Sequence, residues 1–178
     1  IKAATPEKYE AVEPAEKKEY YPLSSAQKRL YVLEQMEEES TGYNIPAVFR
    51  IDKKLDREKL ENAFRLLIDR HESFRTSFTM TDGEVVQLVH ENVAFEMNYF
   101  EVSSTNETET LTAEFIRPFD LSKAPLLRVG VIHEGNGHHI LLTDMHHIIS
   151  DGLSMSILMG EFMALYNGEE LPTLTLHY

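Results

Sequence analysis

The chain contains no cysteine, which excludes a disulfide framework and any thiolate zinc site. Basic charge is scarce: 17 Lys and Arg stand against 30 Asp and Glu, for a net charge of −13. Nucleic acid and anionic membrane surfaces both demand clustered positive charge, so neither is expected as a partner. No apolar run approaches the roughly 20 residues of a membrane-spanning helix. The opening IKAATPEKYE lacks the apolar segment of a signal peptide. The sequence therefore reads as soluble and cytoplasmic. What is present is a hydrophobic content of 42% over 178 residues, ample for the core of one domain or a large piece of one.

Residues 1–20 are polar and charged, with Pro6 and Pro14, and read as a linker or loosely held arm. Beyond Leu23-Ser24-Ser25, the residues Ala26, Leu30, Leu33 and Met36 share one face and predict a helix over 25–37. Tyr43 to Ile51 reads as a strand, with Pro46 suggesting an edge or irregular start. Asp56 is placed to cap a helix whose stripe is Leu60, Ala63, Phe64, Leu67, Ile68 and His71. Phe74 to Met80 and Glu84 to His90 predict a hairpin across Asp82-Gly83. Phe95 to Phe100 reads as a further strand, 101–112 as a polar acidic stretch, and Leu111 to Ile116 as a weak helix broken by Arg117-Pro118. Leu126 to His133 and His139 to Met145 predict a second hairpin around Gly135-Asn136-Gly137. A last helix runs from about Leu153 to a stop at Asn167-Gly168. This order predicts an α/β fold, a mixed β-sheet covered by helices.

The densest chemistry lies at His146-His147-Ile148-Ile149-Ser150-Asp151-Gly152, on the turn between an apolar strand and a helix. Neighbouring residues at a strand end point opposite ways, so one histidine is expected to face a cleft (His147) and the other to turn inward (His146). A neutral imidazole accepts a proton from an amine or hydroxyl nucleophile near neutral pH, or it positions a nucleophile or a tetrahedral intermediate. Asp151 reads first as a structural carboxylate held by an arginine, since a buried carboxylate needs a cation or several donors. Gly152 permits positive φ and close approach of a ligand to backbone. Two ordinary histidines remain the plain alternative. A metal site drawing on His133, His138 and His139 is the other rival, although adjacent ligands splay apart.

Two further segments bear on the choice. Ser25-Ala26-Gln27-Lys28-Arg29-Leu30 opens the first helix, and Arg70 to Phe78 (RHESFRTSF) runs from the second helix into a strand. Each alone is an ordinary basic helix end. Together they supply guanidinium groups that could pair with Asp151 and lock the turn.

In this order the three segments resemble the condensation domains of nonribosomal peptide synthetases, enzymes of antibiotic biosynthesis. The family pattern SxAQxR(L/M) matches the segment Ser25 to Leu30 with Ser24 as its first position, RHExLRTxF matches Arg70 to Phe78 with Phe74 in place of Leu, and HHxxxDG matches His146 to Gly152. The resemblance implies a chloramphenicol-acetyltransferase-like lobe, one half of a two-lobed domain whose site lies in a tunnel between the lobes. It divides the chain into a linker at 1–20 behind an upstream carrier domain, the N-terminal lobe at 21–170, and the start of a connection to a C-terminal lobe at 171–178.

The resemblance also assigns roles. His147 corresponds to the histidine that promotes attack of an acceptor amine on a donor thioester, with His146 beside it. Asp151 is structural through an arginine pair, for which Arg70 and Arg75 are the candidates, and Gly152 borders the substrate channel. The implied reaction joins two aminoacyl or peptidyl groups presented on the phosphopantetheine arms of donor and acceptor carrier domains, with an adenylation domain nearby and no cofactor in the domain itself. The first helix is similar to the subtype that joins L-configured donor and acceptor, whereas Leu153 departs from the family's usual Trp. An epimerisation domain and a non-catalytic carrier-docking module are the alternatives. The lobe alone is expected to be inactive and to self-associate.

Overall fold

The computed structural model describes residues 15–37, 40–52, 55–135 and 137–174. The first 14 residues of the expected linker and residues 175–178 of the expected connection lie outside the described residues. The chain order is β1 (Tyr21–Pro22), α1 (Ser25–Met36), β2 (Asn44–Ile51), α2 (Arg57–Arg70), β3 (Thr76–Thr81), β4 (Glu84–Val89), β5 (Asn98–Glu101), α3 (Thr105–Phe115), β6 (Leu127–His133), β7 (His139–His146) and α4 (Gly152–Tyr166). Short 3₁₀ turns, Glu72–Arg75 and His147–Ile149, follow α2 and β7.

The strands form two sheets, one of them the mixed sheet expected. One is β1-β4-β3, antiparallel throughout; the other is β2-β7-β6-β5, mixed because β5 runs parallel to β6. Strand periodicity reveals which face of a strand is buried, whereas the neighbour of a strand edge is settled by contacts distant in sequence. The β3–β4 hairpin closes as predicted, with Asp82 at φ 53° and Gly83 at φ 83°, the two left-handed positions of a tight hairpin turn.

Helix α2 starts where Asp56 accepts a hydrogen bond from Lys59 N at 3.1 Å. Its stripe of Leu60, Ala63, Phe64, Leu67 and Ile68 is buried. With α4, α2 covers the face of the four-stranded sheet that carries Leu127, Val129, Val131, Leu141 and Met145. The opposite face meets α3, where Phe115 packs against Ile132 and Leu142. Gly130 makes that contact possible: a Cβ there would stand 2.8 Å from Phe115 Cε2. Helix α3 begins at Thr105, within the stretch read as polar and acidic, where Ser104 Oγ accepts from Glu107 N at 3.3 Å and Glu107 Oε2 accepts from Ser103 N at 2.7 Å. The Ser104 cap sets the start, while the solvated face of the helix hides its periodicity. Phe95 and Met97 are buried as expected of a strand, yet the ladder of β5 starts only at Asn98.

Candidate functional site

Strand β7 delivers the paired histidines to the end of the four-stranded sheet, and the 3₁₀ turn separates them. His146 is the last residue of β7 and is 0% exposed. His147 opens the turn and is exposed. His146 is buried and His147 exposed as expected, but the turn parts them rather than alternation, because every residue of β7 from Leu141 to His146 is buried.

The backbone here is firmly held. His146 N donates to Leu126 O at 3.1 Å, and His147 N donates to Tyr43 O at 2.8 Å. His146 Nδ1 accepts from Ile148 N at 3.1 Å, so the imidazole itself caps the turn. Its ring lies 6.1 Å from that of Phe119, edge to face, and 6.4 Å from that of Tyr43. Burial, and then the neighbouring His147, lower the His146 pKa from 6.5 to about 4. His146 is therefore neutral at pH 7 and not available to substrate.

Among the described residues no arginine pairs with Asp151. It is exposed and caps α4: Oδ1 accepts from Ser154 N at 2.8 Å and from Ser154 Oγ at 2.7 Å. Those Ser154 bonds hold its pKa below the usual carboxylate value. Arg70 Nε donates instead to Glu161 Oε1 on α4 at 3.2 Å, and His71 Nε2 meets Glu161 Oε2. Arg75 Nε donates to Ile68 O at 3.2 Å, and its Nη1 donates to His90 O. The reason is reach: Arg70 ends α2 alongside the middle of α4, whereas Asp151 lies at the start of α4. The first motif likewise serves its own helix, with Ser24 and Gln27 forming a capping box and Gln27 buried. Arg29 is exposed.

Gly152 has no positive φ, so left-handed backbone does not explain it. A Cβ at this position would meet nothing within 4 Å. The backbone at the start of α4 thus faces open space, and no protein atom requires a glycine here.

Among the described residues no group of three or more His, Cys, Asp or Glu side chains is placed to hold an ion. His133 and His139 face each other with ring centroids 4.7 Å apart at the far end of β7, and His138 Nδ1 lies 2.9 Å from Asp52 Oδ1.

Two features at the site go unread in the sequence. Asp144, fully buried, accepts from Arg128 Nη1 at 3.0 Å and from Asn44 Nδ2 at 2.8 Å. Arg128 also donates to Arg117 O and Pro118 O and lies 3.6 Å over the Phe119 ring. This knot fixes the loop whose Phe119 walls His146. Burial raises the Asp144 pKa, and Arg128 opposes the rise. The available signal is an aspartate inside the apolar run 139–145. The second feature is Glu34 on α1, 5% exposed, with Oε2 at 3.4 Å from His146 Nε2. A glutamate near the end of an amphipathic helix carries no sequence mark of such burial.

The chain is similar to known proteins in sequence and in fold. The condensation domain family model matches residues 17–178. Bacitracin synthase 2 of Bacillus licheniformis is 54% identical over 167 residues, covering 94% of this chain and 6% of that protein. Tyrocidine synthase 3 of Brevibacillus parabrevis is 51% identical over 172 residues, covering 97% of this chain and 3% of that protein. Among solved structures, the complex of the X-domain and OxyB from teicoplanin biosynthesis aligns with a TM-score of 0.84 and 26% identity, over 94% of this chain and 38% of that one. The starter condensation domain of rhizomide synthetase aligns with a TM-score of 0.76 and 21% identity, over 88% of this chain and 38% of that one. The chain belongs to the condensation domain family and has its chloramphenicol-acetyltransferase-like fold. It spans only a small fraction of the two synthases and under half of either solved chain.

Proposed function

We propose that this chain is the N-terminal lobe of a condensation domain that forms amide bonds in nonribosomal peptide synthesis. The observation that carries the reading is the split of the histidine pair: His146 is sealed in the core while His147 is exposed on a rigid turn, beside the unobstructed backbone of Gly152. The acceptor amine attacks the donor thioester carbonyl, the new C–N bond forms, the C–S bond breaks, and the amine proton passes by way of His147 to the departing thiolate. Such general-base assistance is worth roughly 10²–10⁴-fold.

Donor and acceptor arrive on phosphopantetheine arms of carrier domains, and no cofactor is held by this lobe. A C-terminal lobe completes the tunnel, with an adenylation domain next in the assembly. Helix α4 supports the need for a second lobe, because it leaves Leu153, Ile157 and Met163 exposed, an apolar patch that favours association. The lobe alone is therefore inactive and prone to self-association. Among the described residues no helix is long and apolar enough to cross a membrane, in keeping with a cytoplasmic assembly. Ser25 to Leu30 favours amide formation over epimerisation.

The test supplies donor and acceptor aminoacyl carrier domains and detects the dipeptidyl thioester by intact-protein mass spectrometry. Three samples are compared: this chain, the chain extended through a second lobe, and that extension carrying His147→Ala. Product from the unsubstituted extension only is the expected result. Strong product from the chain alone overturns the half-site reading, and no product from any sample with loaded carriers overturns condensation.

A further inference from the structure

The wall of the site contributed by α1 holds a carboxylate whose neighbours leave it one task. Glu34 Oε2 and His146 Nε2 face each other at 3.4 Å, both atoms are closed to solvent, and neither has a hydrogen-bond partner among the described residues. The opposite ring nitrogen is already committed, since Nδ1 accepts from Ile148 N. An acceptor nitrogen carries no proton, so the single proton of the neutral ring resides on Nε2, directed at Glu34. Were the proton on Nδ1, it would oppose the Ile148 N–H and break the cap of the turn that presents His147.

From this geometry we infer that Glu34 is a positioning residue, which holds the proton of His146 on Nε2 and thereby keeps Nδ1 free to fix the turn carrying His147. Glu34 is buried, and the histidine it approaches is the buried His146 rather than the exposed His147. It acts through a buried imidazole, as an outer carboxylate does when it orders a histidine by bonding its other nitrogen. The 3.4 Å separation is longer than a charge-assisted hydrogen bond of about 2.7–2.9 Å, so closing it requires only a small movement of α1 toward β7. The effect on turnover rests on the condensation reading; the effect on the tautomer does not.

The test uses the complete domain containing this chain, with Glu34→Gln and Glu34→Leu. Glutamine retains an oxygen that accepts from Nε2, and leucine fills the space without one. Long-range ¹H–¹⁵N correlation of the His146 ring is expected to give the Nε2–H form in the parent and in Glu34→Gln, and a mixture or the Nδ1–H form in Glu34→Leu. In the amide-forming assay, Glu34→Leu is expected to lower kcat about tenfold to a hundredfold, the scale of a misplaced catalytic group, with KM for both carriers unchanged, and Glu34→Gln to restore most of the loss. A pure Nε2–H ring in Glu34→Leu overturns the inference, whatever the activity. Equal losses in kcat for both variants with native melting overturn it as well. If the parent domain forms no amide, the condensation reading fails while the tautomer still decides the role of Glu34.

Discussion

Arg70 Nε lies 3.2 Å from Glu161 Oε1, joining the last residue of α2 to the middle of α4. Both side chains are mostly buried, and His71 meets the other carboxylate oxygen. Two residues of the second sequence motif thus reach the helix that follows the third motif, well beyond the aspartate expected to receive them. Removing one partner of a partly buried charge pair leaves the others uncompensated. Glu161→Ala is expected to destabilise by about 2–4 kcal/mol, read by chemical denaturation. The double variant Arg70→Met, Glu161→Leu is expected to lose less than the sum of its single changes. Strict additivity would show that the pair does not couple the helices.

The two histidines of the site are expected to fail in different ways. His147→Ala in the complete domain should leave melting unchanged, since the side chain is exposed, and cut turnover roughly 10²–10⁴-fold. His146→Ala removes the cap of the turn and a packed ring and should cost about 2–4 kcal/mol in stability. Reversal of these two patterns in paired melting and turnover assays would exchange their roles.

Asp151 offers a sharper test. As the N-cap of α4, it is well replaced by asparagine and poorly by alanine. Asp151→Asn is expected to melt like the parent and to keep most of its turnover, whereas Asp151→Ala loses about 1 kcal/mol. Near-zero turnover in a natively melting Asp151→Asn would demand a role at the reacting atoms that the capping geometry does not supply.

Acid is expected to destabilise the fold through His146. Its folded pKa of about 4 lies below the unfolded value of 6.5, so the unfolded chain takes up a proton that the folded chain refuses. The associated stability is fully present above pH 6.5 and is lost as pH falls toward 4, by roughly 3 kcal/mol. His139, lowered mainly by burial, adds to this trend. Glu34 and Asp144, both raised by burial, oppose it as pH approaches the carboxylate range. His146→Asn keeps an oxygen able to accept from Ile148 N while removing the titration. Its stability should fall less steeply than the parent's between pH 6.5 and 4, and identical slopes would place the acid sensitivity elsewhere.

Gly130→Ala should force Phe115 away from the sheet, because the added Cβ would meet its ring at 2.8 Å. Overpacking of this kind costs about 1–3 kcal/mol. Combining it with Phe115→Leu should recover part of the loss in thermal melting. No recovery would mean that the strain lies in the backbone of β6.

Local chemistry marks most of the elements in the order of the residues alone. Asp56 caps α2, Asp82-Gly83 turns the β3–β4 hairpin, and Gly168 stops α4 at φ 81°. Each signal acts over a few residues, and so it is written along the chain. Partnership across the chain is not legible in that way. Glu34 meets His146, Asp144 meets Arg128, and Arg70 meets Glu161 rather than Asp151. A long charged side chain has many partners within reach of its stem. Which one it takes depends on where packing brings two distant helices or strands together and on which groups that packing strips of water. The motif residues are readable because their chemistry is in their identity; the network that holds them exists only after the core has closed around it.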